Sequence, residues 1–381
     1  MSWRYLVVFV FLLGPALGCS GDVELENNEE INFQEEDPDA EGDGDSSGES
    51  DGDGEGPGEN GGDGENGGEE VLPEPPAGLT YYRLGNEPLD DAQPQGPGLL
   101  LMGGGFDVDA AFQVWLERLD GGDVVILRTS GADGYNRYLY EELGGINSVE
   151  TLLVDSRELA NDPYVLHRIN GAAGIFMAGG DQFTYLENWS GTGVEEALGA
   201  AFERGALVGG TSAGLAVIGE FVFTAEEGTV YPDEVLEDPY NQYVTLGPGL
   251  LSWSSLEGVI TDSHFRERER MGRLIGFLAR LATDEEREVL GIGIDEDTAL
   301  VIDGTGNGVV YGDGGVYLLR NRPGEPTRVE AGAPLSSAVD VWALRAGDVV
   351  ELPGWETEVS SYVVSAQNEQ LTPEEPYGDW D

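Results

Sequence analysis

From residue 79 onward the chain alternates short apolar runs with longer amphipathic ones, separated by glycine-rich turns. Gly98–Met102 is wholly apolar apart from its first glycine and runs into Gly103-Gly104-Gly105, the pattern of a buried strand entering a tight turn. Residues 109–120 place apolar side chains at helical spacing, with Asp107 or Asp109 as the cap. The same reading predicts strands at Asp123–Arg128, 150–154 and Gly174–Met177, with helices over 135–143 and 157–169 between them. Residues 206–208 read as another strand and 215–218 as helix, with a glycine turn between. From 291 to about 364 the pattern is richer in β alternation and glycine turns.

Strands apolar on both faces and separated by helices are the mark of a parallel sheet covered on both sides. The expected fold class is therefore α/β, a parallel sheet flanked by helices with antiparallel strands added at the C-terminal side. In such sheets ligands bind beyond the carboxyl ends of the strands, so the loops at 103–105, 179–182 and 209–214 are expected to converge.

The first 77 residues have a different pattern. Arg4, an apolar run over 5–13 and the ending Ala16-Leu17-Gly18-Cys19 read as a secretory leader over 1–19, and the ending resembles a bacterial lipobox. Cys19 is then the lipidation site, and the mature protein is expected on the cell envelope, held to the membrane by its lipid anchor only. Residues 20–77 are mostly Gly and acidic or small polar residues, too poor in apolar surface to offset chain entropy, and read as a disordered tether. The hydrolytic domain is expected over 78–370 and an acidic tail over 371–381.

Composition narrows the chemistry. A net charge of −56 excludes nucleic acid as a partner, because phosphate binding needs clustered cations. The chain has no lysine, so Schiff-base chemistry, a P-loop and a Ser-Lys dyad are out. Cys19 is the one cysteine, which leaves the folded part without a thiol nucleophile. His167 and His264 are the two histidines, too few for a histidine-rich metal centre, and no cofactor is expected.

Gly210-Thr211-Ser212-Ala213-Gly214 fits the G-x-S-x-G nucleophile elbow in its required context, strand before and helix after. A tight turn with a capping serine would use the same pentapeptide. His264 lies in Asp262-Ser263-His264-Phe265, followed by Arg266, Arg268, Arg270 and Arg273. An exposed helix face laced with ion pairs would use the same arginines as a receptor for carboxylates.

Together with Gly179-Gly180-Asp181-Gln182 and Gly291-Ile292-Gly293-Ile294-Asp295-Glu296, these motifs occur in the order and approximate spacing of cyanophycinases, peptidase family S51, which residues 98–345 resemble. The resemblance implies a class I glutamine amidotransferase-like, flavodoxin-like fold with serine in place of the amidotransferase cysteine. It implies Ser212 as nucleophile, His264 as base and Glu296 as orienting carboxylate, with Asp262 and Asp295 as rivals for the last role. Amides of Ala213 and of Gly104 or Gly105 would form the oxyanion hole, and Gln182, Asp262, Arg268, Arg270 and Arg273 the substrate pocket. The expected activity is that of a serine exopeptidase cleaving next to aspartyl residues, cyanophycin to β-Asp-Arg dipeptides or related acidic peptides, through an acyl-enzyme on Ser212. A homodimer is left open. Ser263 and Leu215 depart from the family pattern, which keeps an aspartyl dipeptidase, an esterase or a decayed binding module as alternatives.

Overall fold

The computed structural model describes residues 73–89, 93–251 and 253–378. The leader, Cys19 and nearly all of the tether lie outside them. Strands β1 (Thr80–Gly85), β2 (Gly98–Met102), β3 (Asp123–Arg128), β4 (Ser148–Leu153), β5 (Gly174–Met177) and β6 (Leu207–Thr211) come first. Then follow β7 (Phe221–Phe223), β8 (Leu246–Pro248), β9 (Val259–Asp262), β10 (Leu290–Ile294), β11 (Thr298–Ile302) and β12 (Asn307–Gly312). The last are β13 (Val316–Asn321), β14 (Ser337–Leu344), β15 (Val349–Glu351), β16 (Tyr362–Gln367) and β17 (Gln370–Thr372).

Among the described residues these strands make two sheets. The first has the order β1-β4-β3-β5-β6-β2-β11-β12-β15, and its β4-β3-β5-β6-β2 centre is parallel, as the apolar runs predict. The second has the order β17-β16-β14-β13-β10-β9-β7-β8, with β7, β9 and β10 parallel and the rest antiparallel. The expected α/β class, a parallel sheet flanked by helices with antiparallel strands added from the C-terminal side, is what the structure has, and those added strands are divided between the two sheets. Strands β11, β12 and β15 do extend the first sheet, but β10, β13, β14, β16 and β17 belong to the second. A period of two marks a half-buried strand without naming its partner, because strand pairing is a long-range choice.

Side chains alternate between cores along each central strand. Leu99 and Leu101 of β2 enter one core, Leu100 and Met102 another, and Val125 and Leu127 part from Val124 and Ile126 in the same way. The first core continues into the second sheet through Ile292, Ile294, Val316 and Leu318, so both sheets share it. It also takes α3 (Pro163–Gly171), α4 (Gln182–Trp189) and α5 (Gly193–Glu203) through Ile169, Trp189 and Leu198. On the other face of the first sheet α1 (Asp109–Glu117) packs Phe112 and Trp115, both fully buried. A third core joins the far face of the second sheet to α7 (Pro232–Glu237) and α8 (Met271–Asp284). The segment 221–247 thus contributes packed elements, with Val235 and Leu236 in that core.

Three boundaries move. The expected helix over 157–169 is a 3-10 turn, Leu159–Asn161, followed by α3, because Pro163 fits only the first turn of a helix and Asp162 caps it through the Tyr164 amide. The helix over 135–143 is a short α-turn, α2 (Gly134–Arg137), continued by a π-turn, Tyr138–Leu143. The expected tail after 370 is partly structural: β17 pairs with β16, and Tyr377 is buried against Phe265 and Tyr317.

Candidate active site

Strand β6 ends at Thr211, and Ser212 stands between it and the helical turn α6 (Ala213–Ala216). The serine has φ 53° and ψ −113°, a left-handed backbone that costs a non-glycine residue roughly 1–3 kcal/mol and persists only where the surroundings impose it. They do. A Cβ on Gly214 would fall 2.1 Å from the Met177 carbonyl oxygen, and one on Gly210 would fall 2.5 Å from the Gly214 backbone, so the turn closes only with glycine at both. The Ser212 amide is held by the Met102 carbonyl at 3.2 Å.

His264 and Glu296 come from the second sheet. Strands β9 and β10 are parallel neighbours with Asp262 opposite Gly293, so the loops leaving them emerge side by side. His264 also has a left-handed backbone, φ 45°, and its amide donates to the Gly103 carbonyl at 2.7 Å. Gly103 in turn donates to the Thr298 carbonyl, which ties the end of β2 to both partners. Ser212 Oγ lies 2.8 Å from His264 Nε2, and His264 Nδ1 lies 2.6 Å from Glu296 Oε1. Burial holds the imidazole below its ordinary pKa; the charges of Arg268 and Arg270 add to this, against the opposing pull of Glu296. The neutral ring donates from Nδ1 to Glu296 and leaves Nε2 to accept the Ser212 proton, the arrangement a nucleophile, base and orienter require.

The rival carboxylates are otherwise engaged. Asp295 accepts from the Arg266 and Gly315 amides, each at 2.9 Å, and burial raises its pKa to about 6. Asp262 is buried and receives both Arg273 Nε, at 2.8 Å on Oδ2, and Arg273 Nη2, at 2.5 Å on Oδ1. Arg270 Nη1 reaches the same carboxylate at 3.2 Å and the Ser263 carbonyl at 2.7 Å. Burial pushes the Asp262 pKa up, but the two guanidinium groups outweigh it and hold the carboxyl below its usual range.

This overturns part of the expected substrate clamp. Arg273 is 3% exposed and fully committed to Asp262 and the Val230 carbonyl, because a buried carboxylate must be neutralised where it stands. Asp262 is accordingly the partner of these arginines, and Arg270 is half-buried between it and Ser263. Arg268 is exposed and close enough to act on the imidazole. Residues 266–270 form turns, not a helix face, and α8 begins only at Met271. Gln182 opens α4 and donates to the Phe223 carbonyl at 3.3 Å.

Ala213 follows the nucleophile directly, where an amide donor to a developing oxyanion has to be. Gly104 lies against the imidazole: a Cβ there would stand 2.3 Å from His264 Cε1 and 2.6 Å from Nε2. Gly105 lies instead against Glu296 and Asp297, at the carboxylate end of the relay. Gly179, which the sequence reading left without a role, passes beside Ser212, its would-be Cβ 3.5 Å from the serine Cβ. The signal for it was the Gly179-Gly180-Asp181-Gln182 motif. His167 stands with Asp123, Ala172 and Arg204 around a cavity at the amino ends of β3 and β5, the opposite end from Ser212. Leu215 is fully buried in the core, with its carbonyl bonded by Thr261 Oγ1 at 3.0 Å, and Ser263 is buried behind Arg270. Neither departure interrupts the relay.

A family model described as Peptidase family S51 matches residues 134–310. The chain is 33% identical over 196 residues to the cyanophycinase of Synechococcus elongatus, covering 50% of this chain and 56% of that protein. It is 35% identical over 182 residues to the cyanophycinase of Nostoc sp., covering 48% and 56%. The chain thus spans just over half the length of these curated relatives. A solved peptidase from an acI-B1 Actinobacterium aligns with a TM-score of 0.44 and 20% identity, over 68% of this chain and 99% of its own. The matched segment contains Ser212, His264 and Glu296, and over it the chain is similar to peptidase family S51 and to the cyanophycinases.

Proposed function

We propose that the protein is a serine exopeptidase of the cyanophycinase type, which hydrolyses peptide bonds next to aspartyl residues through an acyl-enzyme on Ser212. The observation that carries this reading is the continuous relay from Ser212 Oγ through the His264 ring to Glu296, 2.8 Å and 2.6 Å long, on a strained elbow. His264 takes the serine proton as Oγ attacks the carbonyl carbon, and the Ala213 amide stabilises the oxyanion that forms. The imidazolium then protonates the leaving amine. Water, activated by the same ring, cleaves the resulting ester and restores Ser212. Arg268 supplies the exposed guanidinium for a substrate carboxylate, in place of the three-arginine clamp that the sequence suggests.

Cyanophycin is the substrate we favour, on the strength of the relatives' names, with short aspartyl peptides as the alternative class. The test incubates the full-length protein, wild type and Ser212→Ala, with cyanophycin and with a panel of aspartyl dipeptides. Release of β-Asp-Arg by the wild type, lowered about 10³-fold or more in Ser212→Ala and in His264→Ala, is the expected result. Cleavage confined to free dipeptides would reassign the substrate, and residual activity equal to wild type in Ser212→Ala would sink the mechanism.

A further inference from the structure

Three consecutive acids, Asp295-Glu296-Asp297, leave β10, and each has a different partner. Glu296 turns its carboxylate to the His264 ring. Asp295 and Asp297 accept from backbone amides on other loops, Arg266 and Gly315 for the first and Phe106 for the second. Glu296 is itself held by a side chain from the histidine's own loop: Glu267 Oε2 accepts from the Glu296 amide at 3.0 Å, across 29 residues of sequence. The Thr298 hydroxyl donates to the Glu296 carbonyl at 3.0 Å, so side chains engage both backbone groups of the orienting carboxylate.

The two loops are thus tied to each other in both directions. Asp295, on the loop of the carboxylate, binds the Arg266 amide on the loop of the base, and Glu267, on the loop of the base, binds the Glu296 amide. The turn that carries His264 and Glu267 is closed on itself: the Arg268 amide donates to the His264 carbonyl at 3.1 Å, and the Arg270 amide to the Phe265 carbonyl at 2.8 Å. Base and tie therefore move together, and the tie passes their position on to Glu296. Asp295 is fully buried, so removing it would strand the Arg266 and Gly315 amides and disturb the fold. Glu267 is exposed. An exposed glutamate among arginines adds little stability through ion pairs, but a carboxylate that receives a backbone amide makes a charge-assisted hydrogen bond of fixed direction.

We propose that Glu267 is a positioning residue of the relay, holding the backbone of Glu296 where its carboxylate can orient His264. For turnover this rests on the peptidase reading above; for the state of the imidazole it does not.

Two variants test it: Glu267→Ala removes the tie, and Glu267→Gln removes the charge but keeps an acceptor oxygen. Glu296 raises the pKa of the imidazole by its hydrogen bond and its charge, so a carboxylate that drifts away lets that pKa fall. The chain has two histidines, so NMR titration of the full-length protein reads His264 directly, with His167 at the far end of the sheet as internal control. In Glu267→Ala the His264 titration should move down by about half a unit or more, with His167 and the unfolding midpoint unmoved. On the peptide substrate kcat should fall about tenfold with KM within about twofold, and the acidic limb of kcat/KM should move to lower pH. Glu267→Gln should recover most of both changes, because an exposed charge is screened and the acceptor remains. An unmoved His264 titration in Glu267→Ala, an equal change in the two variants, or a matching shift at His167 overturns the proposal. A shifted His264 titration in a protein whose wild type cleaves no peptide would remove the peptidase reading and leave the tie standing.

Discussion

Two residues of the relay, Ser212 and His264, have left-handed backbones, and each is held there by a hydrogen bond from its own amide, to Met102 and to Gly103 respectively. Strain of this kind fixes where Oγ and Nε2 meet without asking the side chains to search. Around them charge decides function. Arg268 lowers the pKa of the imidazole, so Arg268→Gln raises it, and the acidic limb of kcat/KM should move to higher pH than in wild type. The same variant should cost about 10- to 100-fold in kcat/KM on substrates with a free carboxylate and little on their amides. A pH–rate profile on paired substrates checks both, and an unmoved limb would detach Arg268 from the site.

Asp262 gives the contrasting case. Asp262→Asn leaves Arg273 buried without its counter-charge and should destabilise the fold by about 3–5 kcal/mol, read by denaturant unfolding. The wild-type carboxyl is held below the ordinary Asp range, so the stability it adds is present at neutral pH and lost only as pH falls below about that range. A variant as stable as wild type would return Arg270 and Arg273 to substrate binding. The scarcity of histidine and the elbow glycines made Ser212 and His264 legible in the sequence. Which arginines were free was not: Asp262 and Arg273 are 11 residues apart and meet across a turn that no periodicity announces.

At the scale of elements, the loop after β2 is the piece on which the site turns. It accepts from His264, donates to Thr298 and passes Gly104 under the imidazole with φ 97°. Gly104→Ala would put a methyl 2.3 Å from His264 Cε1 and push the ring off Ser212 while the sheets stay formed. About 10²-fold loss in kcat is expected, with the unfolding midpoint lowered in step with the roughly 1–3 kcal/mol that a side chain at this φ costs, and normal activity would contradict the geometry. Strands β2, β3 and β5 were readable because their centres are apolar on both faces, whereas β4 buries Ser148, Glu150 and Thr151 and was legible only through its apolar end at Leu152 and Leu153. Strands β7 and β8 are three residues each, too short to show a period, and the half-buried strands after β10 gave no sign of which sheet they join. Tyr377 shows the same limit: its hydroxyl accepts from the Met271 amide at the start of α8, from a segment whose composition reads as a solvated tail.

For the whole molecule, the expected leader and tether are proposed to set where the reaction takes place. Cys19→Ser should move the protein from the membrane fraction to the soluble one without altering turnover, since the expected lipid site is far in the chain from Ser212, His264 and Glu296. Fractionation of cells expressing each form checks this, and continued membrane association would refute the anchor. Within the described residues, the nucleophile hangs from one sheet while the base and its carboxylate hang from the other. The exposed stretch Glu226-Glu227-Gly228 lies between them in the chain. A cut there would leave Ser212 on one fragment and His264 with Glu296 on the other, so neither piece alone would hold a complete relay. Hydrolysis by such a divided protein would count reunited halves, and the enzyme would serve as its own reporter of complementation.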